Sequence, residues 1–232
     1  MMSHIFPYKF SPIIQLLITV LIFCFFPEGL SKPIALLTWW LISFEKISKQ
    51  ELLLFIVCAM SFSLLNFPAI QKGVFVFQEQ NLVGMPFYEY IMWGFYILFG
   101  YKHLPLNAYT KIEWHTWVVI LFFIIFFFGF SENVLFKTIF TSLILFGALL
   151  IYRTKKDVYA VLFFMILGIV IEFSGVYFKQ WSYPDLHMTV VGVPLWSISF
   201  WGGIGFLFYR VIIPLFNTLS QKSERVTHLS KK

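Results

Sequence analysis

The sequence predicts an all-α, polytopic transmembrane bundle of about eight helices. Of its 232 residues, 59% are hydrophobic and 22% are aromatic. Only 12% are charged, where a soluble domain carries about 25%. Apolar stretches of bilayer length also recur along the chain between short polar breaks. A water-soluble fold of this size cannot hide so much apolar surface. The same composition excludes a disordered chain, a collagen and a disulfide scaffold.

A membrane helix needs about 20 largely apolar residues. Candidate segments centre on 12–28, 33–45, 51–67, 85–101, 114–130, 135–152, 158–178 and 190–214. The breaks include Pro27-Glu28-Gly29, Glu45 to Lys49, Gln78 to Asn81, Lys102 to Lys111, Ser131-Glu132-Asn133, Arg153 to Asp157 and Lys179 to Asp185. The first segment follows Lys9 but ends in Phe25-Phe26-Pro27-Glu28 with no small-x-small site, so it reads as an uncleaved helix. The second, from Pro33 to Phe44, is short enough to tilt or re-enter, which leaves seven spans as the alternative count.

Charge gives an orientation. Eight crossings leave only Lys32, Lys72, Lys137 and Lys179 on one side, 4 of the 17 basic residues, and put the other 13 with the two termini. By the positive-inside rule both termini are cytoplasmic and the chain sits in the plasma or inner membrane. The net charge of +6 then reflects topology and anionic headgroups, with no nucleic-acid partner implied. Residues 217–232 read as a basic cytoplasmic tail, and residues 1–216 as one transmembrane domain.

Two stretches 108 residues apart read alike. Val83-Gly84-Met85-Pro86-Phe87-Tyr88 leads to Trp93-Gly94, and Val191-Gly192-Val193-Pro194-Leu195-Trp196 leads to Trp201-Gly202. Two parallel four-helix repeats, 1–108 and 109–216, account for this, and sites in such proteins tend to lie between repeats. Coincidence in a Phe-rich chain is the alternative. The spacing aligns Glu89 with Ser197 and Glu172 with Leu64.

Acids inside a bilayer are costly and by default point to function. Glu89 lies one turn into the fourth segment, and Glu172 lies within the run from Val161 to Phe178. Pro86, Glu89, Trp93 and Tyr96 share one helical face, and Gly168, Glu172 and Gly175 another. Gly192, Trp196, Ser199 and Gly203 form a third stripe. Desolvation favours the neutral, proton-donating form of a carboxyl, and aromatic faces stabilise cations. Glu172 and Glu89 are therefore the candidate catalytic acids. Trp93, Tyr177, Trp181, Tyr183 and Trp196 are the aromatic residues placed to line a substrate. An interface belt of aromatics, a first-turn acid at the water boundary and a structural hydrogen bond are the plainer readings of the same residues.

No histidine pair has metal-ligand spacing, and no nucleotide or cofactor motif is present, so neither a metal nor a cofactor is expected. Cys24 and Cys58 lie in separate apolar segments and read as inert thiols.

The segment Glu172-x-x-Gly175-x-Tyr177-Phe178-x-x-Trp181-x-Tyr183, followed by Val191-x-Val193-Pro194-Leu195 and Trp201, resembles the integral-membrane carotenoid-biosynthesis proteins, most closely the carotenoid hydratases of the bacterioruberin pathway. The Pro86-x-x-Glu89 element is similar to the Pro-x-Glu-Glu element of membrane lycopene cyclases. The resemblance implies protonation of a terminal isoprenoid double bond, followed by capture of the cation by water or by a second double bond. It gives Glu172 and Glu89 the acid role and puts Trp181 and Tyr183 at the site. Two positions depart from the pattern: Tyr88 replaces the second acid of the cyclase element, and Lys179-Gln180 replaces a glycine-rich stretch of the hydratases. The expected function is acid-catalysed hydration or cyclisation of an apolar isoprenoid or carotenoid-like lipid. A small proton-coupled carrier for a lipid or weak acid is the first alternative. A non-catalytic subunit whose glycine stripes pack on a partner is the second.

Overall fold

A computed structural model describes residues 10–44, 46–104, 112–129, 133–184 and 187–219. Among them are eight α-helices: α1 Pro12–Phe25, α2 Ser31–Ser43, α3 Lys49–Gln71, α4 Glu89–His103, α5 Trp114–Gly129, α6 Val134–Tyr152, α7 Lys155–Tyr177 and α8 Leu195–Leu207. A π-helical turn, Phe208–Ile212, continues α8, and the apolar helical run reaches Leu219. Residues 217–219, assigned from sequence to the tail, therefore close this helix; the remainder of the tail lies outside the described residues, as do Glu132 and Asp185. Four helical runs are long and apolar enough to cross a membrane: Lys49–Gln71, Val134–Tyr152, Lys155–Tyr177 and Leu195–Leu219. The helices α1, α2, α4 and α5 have 14, 13, 15 and 16 residues. At about 1.5 Å per residue each falls short of a hydrocarbon core of about 30 Å.

Local chemistry sets the helix starts. Ser11 accepts the Ile14 N–H ahead of Pro12, and Asn133 accepts the Phe136 N–H. Ser48 and Glu51 form a reciprocal capping box, each side chain satisfying the other residue's N–H. The fourth segment starts later than its hydropathy indicates, because Leu82 and Met85 first close a tight hairpin. Pro86 and Gly192 thus precede α4 and α8, and drop out of the helical stripes expected for them.

Four two-residue strands interrupt the all-α expectation: β1 Val76–Phe77, β2 Trp181–Ser182, β3 Thr189–Val190 and β4 Val193–Pro194. Strands of this length leave no periodicity to read. β1 pairs antiparallel with β2, Val76 opposite Ser182 and Phe77 opposite Trp181, and β3 pairs antiparallel with β4.

The same local structure occurs twice. Val83 and Gly84 turn the first hairpin at φ 53° and 77°, and Val191 and Gly192 turn the second at 54° and 80°. Positive φ at both central residues is the tight I′-type turn, and a valine there is rare. The ends of α3 and α7 also match. Gly73 and Val74 N–H groups bond to Ile70 and Ala69, while Lys179 and Gln180 N–H groups bond to Val176 and Gly175. Here the spacing is 106 residues, because 12 residues separate Lys179 from Val191 and only 10 separate Gly73 from Val83. The helix-end spacing of 106 pairs Glu172 with Asn66, where the hairpin spacing of 108 pairs it with Leu64.

The chain divides into two compact units. The first is Met1–Phe99 with Phe173–Pro184, and the second is Gly100–Glu172 with Asp185–Lys232. In the first unit, Phe23, Leu36, Trp40, Tyr88 and Phe95 are almost wholly buried, and Trp40 stacks on Phe95 at 4.6 Å. In the second, Leu145, Ala148, Val161 and Phe206 form the core, where α6, α7 and α8 meet.

Candidate functional site

Glu89 opens α4 and is 7% exposed, so this first-turn acid lies inside the protein and not at a water boundary. Its Oε1 accepts hydrogen bonds from Asn66 Nδ2 at 2.7 Å and from Trp93 Nε1 at 3.0 Å. Trp93 stacks on Phe62 at 4.8 Å and meets Tyr96 edge-on at 5.5 Å. Glu89, Trp93 and Tyr96 therefore share the face that their spacing predicts.

In the second unit, Glu172 of α7 is half-buried, and its Oε1 accepts the Trp201 indole N–H at 3.0 Å. Trp201 lies 108 residues after Trp93. Each unit thus has one carboxyl held by one indole. The acid sits on α4 with its amide neighbour Asn66 on α3 in the first unit. In the second it sits on α7, 106 residues after Asn66, while Ser197 lies 108 residues after Glu89. An indole N–H in an apolar interior needs an acceptor, and a carboxyl fills that need from either helix.

Glycine makes the second arrangement possible. A Cβ on Gly168 would lie 2.1 Å from the Trp201 ring. The Gly168→Ala change is expected to overpack this contact and cost about 1–3 kcal/mol. That would be read as a fall in Tm of the purified protein in detergent. A Tm equal to wild type would show that the indole is not seated in that notch. Gly175 serves Trp181 in the same way, at 2.1 Å, in the first unit. Gly168 and Gly175 are therefore each covered by one of the chain's own tryptophans.

The other aromatic candidates fall in different places. Trp181 is 8% exposed and stacks on Phe23 at 6.0 Å; Tyr183 is 7% exposed and lies 6.1 Å from Phe75. Trp196 is buried beneath the Lys137 ammonium, 4.7 Å from its ring centre. Tyr177 is 70% exposed and meets the Phe178 ring edge-on at 5.0 Å.

Sequence reasoning missed the buried cations. Lys32 and Lys137 count as outer-side loop charges by hydropathy, yet each lies in the first turn of a helix at 1% exposure. Lys32 Nζ donates to Gln180 Oε1 at 2.8 Å and lies 4.9 Å over the Tyr88 ring. Tyr88 and Trp196 are 108 residues apart, so both lysines cover equivalent rings. A further buried pair, Asp157 and Arg210, occupies the second unit. Among the described residues no group of His, Cys, Asp and Glu is arranged to hold a metal ion, and Cys24 and Cys58 are free thiols.

No protein-family model matches this chain, and neither does any curated protein. A solved structure does: the crystal structure of a cross-linked variant of MvINS, a trimer, aligns over 72% of this chain and 96% of its own, with a TM-score of 0.57 and 13% identity. The likeness is one of fold. It assigns a role to no residue of this chain.

Proposed function

We propose that this chain is an eight-span membrane enzyme, built from two four-helix repeats, that acts by acid catalysis on an apolar isoprenoid or carotenoid-like lipid. The observation that carries the reading is the indole-anchored carboxyl found once in each half of the chain. The matching valine-glycine hairpins, helix ends and lysine-over-ring pairs support the repeat. The 13-to-4 division of basic residues supports cytoplasmic termini.

The chemistry follows from the setting. A carboxyl that carries its proton can donate it to a bound alkene as a general acid. Anchoring Oε1 fixes the carboxyl plane and so directs Oε2. Proton transfer to a terminal alkene carbon leaves a cation on the more substituted carbon, which the faces of Trp93, Tyr96 and Phe62 stabilise. Water capture with loss of a proton gives an alcohol; capture by a second double bond followed by proton loss gives a ring. No redox partner is needed.

Expression in a host that makes linear carotenoids tests this directly. New hydrated or cyclised products are expected in the lipid extract. An unchanged pigment and lipid profile, with the protein present in the membrane, would remove the enzyme reading.

A further inference from the structure

The Lys32 cluster adjoins Glu89 through its chain neighbour Tyr88, and it contains polar atoms that the fold leaves unsatisfied. It forms where the helix ends of the first unit meet: after α1, at the start of α2, after α3, before α4 and after α7. Gly29 N–H donates to Glu79 Oε1 at 2.6 Å, but Glu79 Oε2 is buried and accepts no hydrogen bond among the described residues. Tyr88 is 1% exposed, and its hydroxyl is likewise buried without a partner. The Lys32 ammonium lies over the Tyr88 ring and interacts with the Glu79 carboxylate. Phe23 and Trp181 wall the cluster with stacked rings.

A buried polar group left unmatched is destabilising by about 1–3 kcal/mol, so two in one cluster point to a group that the ligand-free chain lacks. The pair consists of one donor, the Tyr88 hydroxyl, and one acceptor, Glu79 Oε2. A ligand anion meets the Glu79 carboxylate, and a ligand ammonium meets Lys32. A hydrocarbon matches neither orphaned atom. A hydroxyl accepts from tyrosine and donates to the carboxylate with one oxygen. At Trp196, the position matching Tyr88, the indole leaves no such hydroxyl, so the feature belongs to the first unit alone.

We propose that Lys32, Glu79 and Tyr88 form a binding site for the hydroxyl head of a long-chain lipid alcohol. The choice of an isoprenoid chain rests on the reading above.

The test is ligand-dependent thermal stabilisation of the full chain in detergent. Geranylgeraniol is compared with a hydrocarbon and with a primary amine of the same chain length. Only the alcohol is expected to raise Tm with concentration. Tyr88→Phe, which deletes an unsatisfied hydroxyl, should fold at least as well as wild type and bind the alcohol about tenfold more weakly. Glu79→Gln is expected to weaken it by a similar factor. Equal shifts from alcohol and hydrocarbon, or unchanged alcohol affinity in Tyr88→Phe, overturn the proposal, as expected if a single bound water satisfies both atoms. The readout requires no turnover. Alcohol binding that persists in Glu89→Gln while no host yields product would sink the enzymatic reading and leave this site standing. Product formed by a protein whose alcohol binding ignores Tyr88 would do the reverse.

Discussion

Glu89→Gln and Glu172→Gln are each expected to lower product formation by about 100- to 10,000-fold, the usual contribution of a positioned proton donor. The argument rests on what glutamine keeps. Its Oε1 still accepts the indole N–H of Trp93 or Trp201, now bonded at 3.0 Å in both units, and it has nearly the same volume. At Glu89 it also still accepts the Asn66 amide, now at 2.7 Å. The fold should accept either substitution, and membrane abundance should match wild type on an immunoblot. The printed bonds at Oε1 can survive while the carboxylic proton is lost. Trp93→Phe and Trp201→Phe make the complementary change: the acid remains but its anchor goes, and a smaller loss of product is expected. If both glutamine variants retain wild-type product, the acids serve only as acceptors for the tryptophans and the chemistry lies elsewhere. If only one variant is inactive, that acid is the donor and the other is structural.

Most of the helical framework is legible in composition and hydropathy, because helices in an apolar chain are bounded by polar breaks. Each of the eight segments contains a helix, including the short one beginning near Pro33. What escapes is set by interactions distant in sequence. A hairpin of four residues shortens α4, and nothing in a hydropathy window distinguishes Met85 as a turn residue from Met85 as a helix residue. A second spacing escapes for a similar reason: only the hydrogen bonds at the helix ends show that the ends of α3 and α7 resemble each other at 106 residues, while the hairpins do so at 108.

Glu89 and Glu172 stand out in sequence because a charge in an apolar run is conspicuous. Lys32 and Lys137 do not, because each adjoins a polar break and reads as a loop charge. Their burial depends on Tyr88 and Trp196, 56 and 59 residues further along the chain. Gly168 and Gly175 are legible as sites of close approach, but their partners are not. A small residue announces a notch without saying whether a neighbouring protein or the chain's own tryptophan fills it.

The second large effect is on stability. Asp157→Ala is expected to cost about 3–5 kcal/mol, the penalty for leaving a buried charge without its partner. In a chain of this length that is a fall in Tm on the order of 10 °C. Asp157 is 0% and Arg210 is 6% exposed at the side chain, and two parallel bonds join them, Nε to Oδ1 and Nη2 to Oδ2, both at 2.6 Å. Thr154 adds its hydroxyl to Oδ2. The guanidinium lies 4.0 Å over the Tyr152 ring, and the Tyr152 hydroxyl shares a 2.6 Å hydrogen bond with Thr116. Arg210 reaches the pair from the π-helical turn, so losing Asp157 strands a cation in a segment whose backbone is already irregular. The pair His115–Glu113 is the internal control. Its 2.8 Å contact is comparable, but its side chains are 38% and 49% exposed, and Glu113→Gln should change stability by no more than about 1 kcal/mol. Replacing both members of the buried pair, Asp157→Leu with Arg210→Met, should recover most of the loss, since an apolar pair of similar volume avoids desolvating charge. A Tm for Asp157→Ala that falls no further than that of Glu113→Gln would mean that water reaches the pair, and Arg210 would then be a solvated charge.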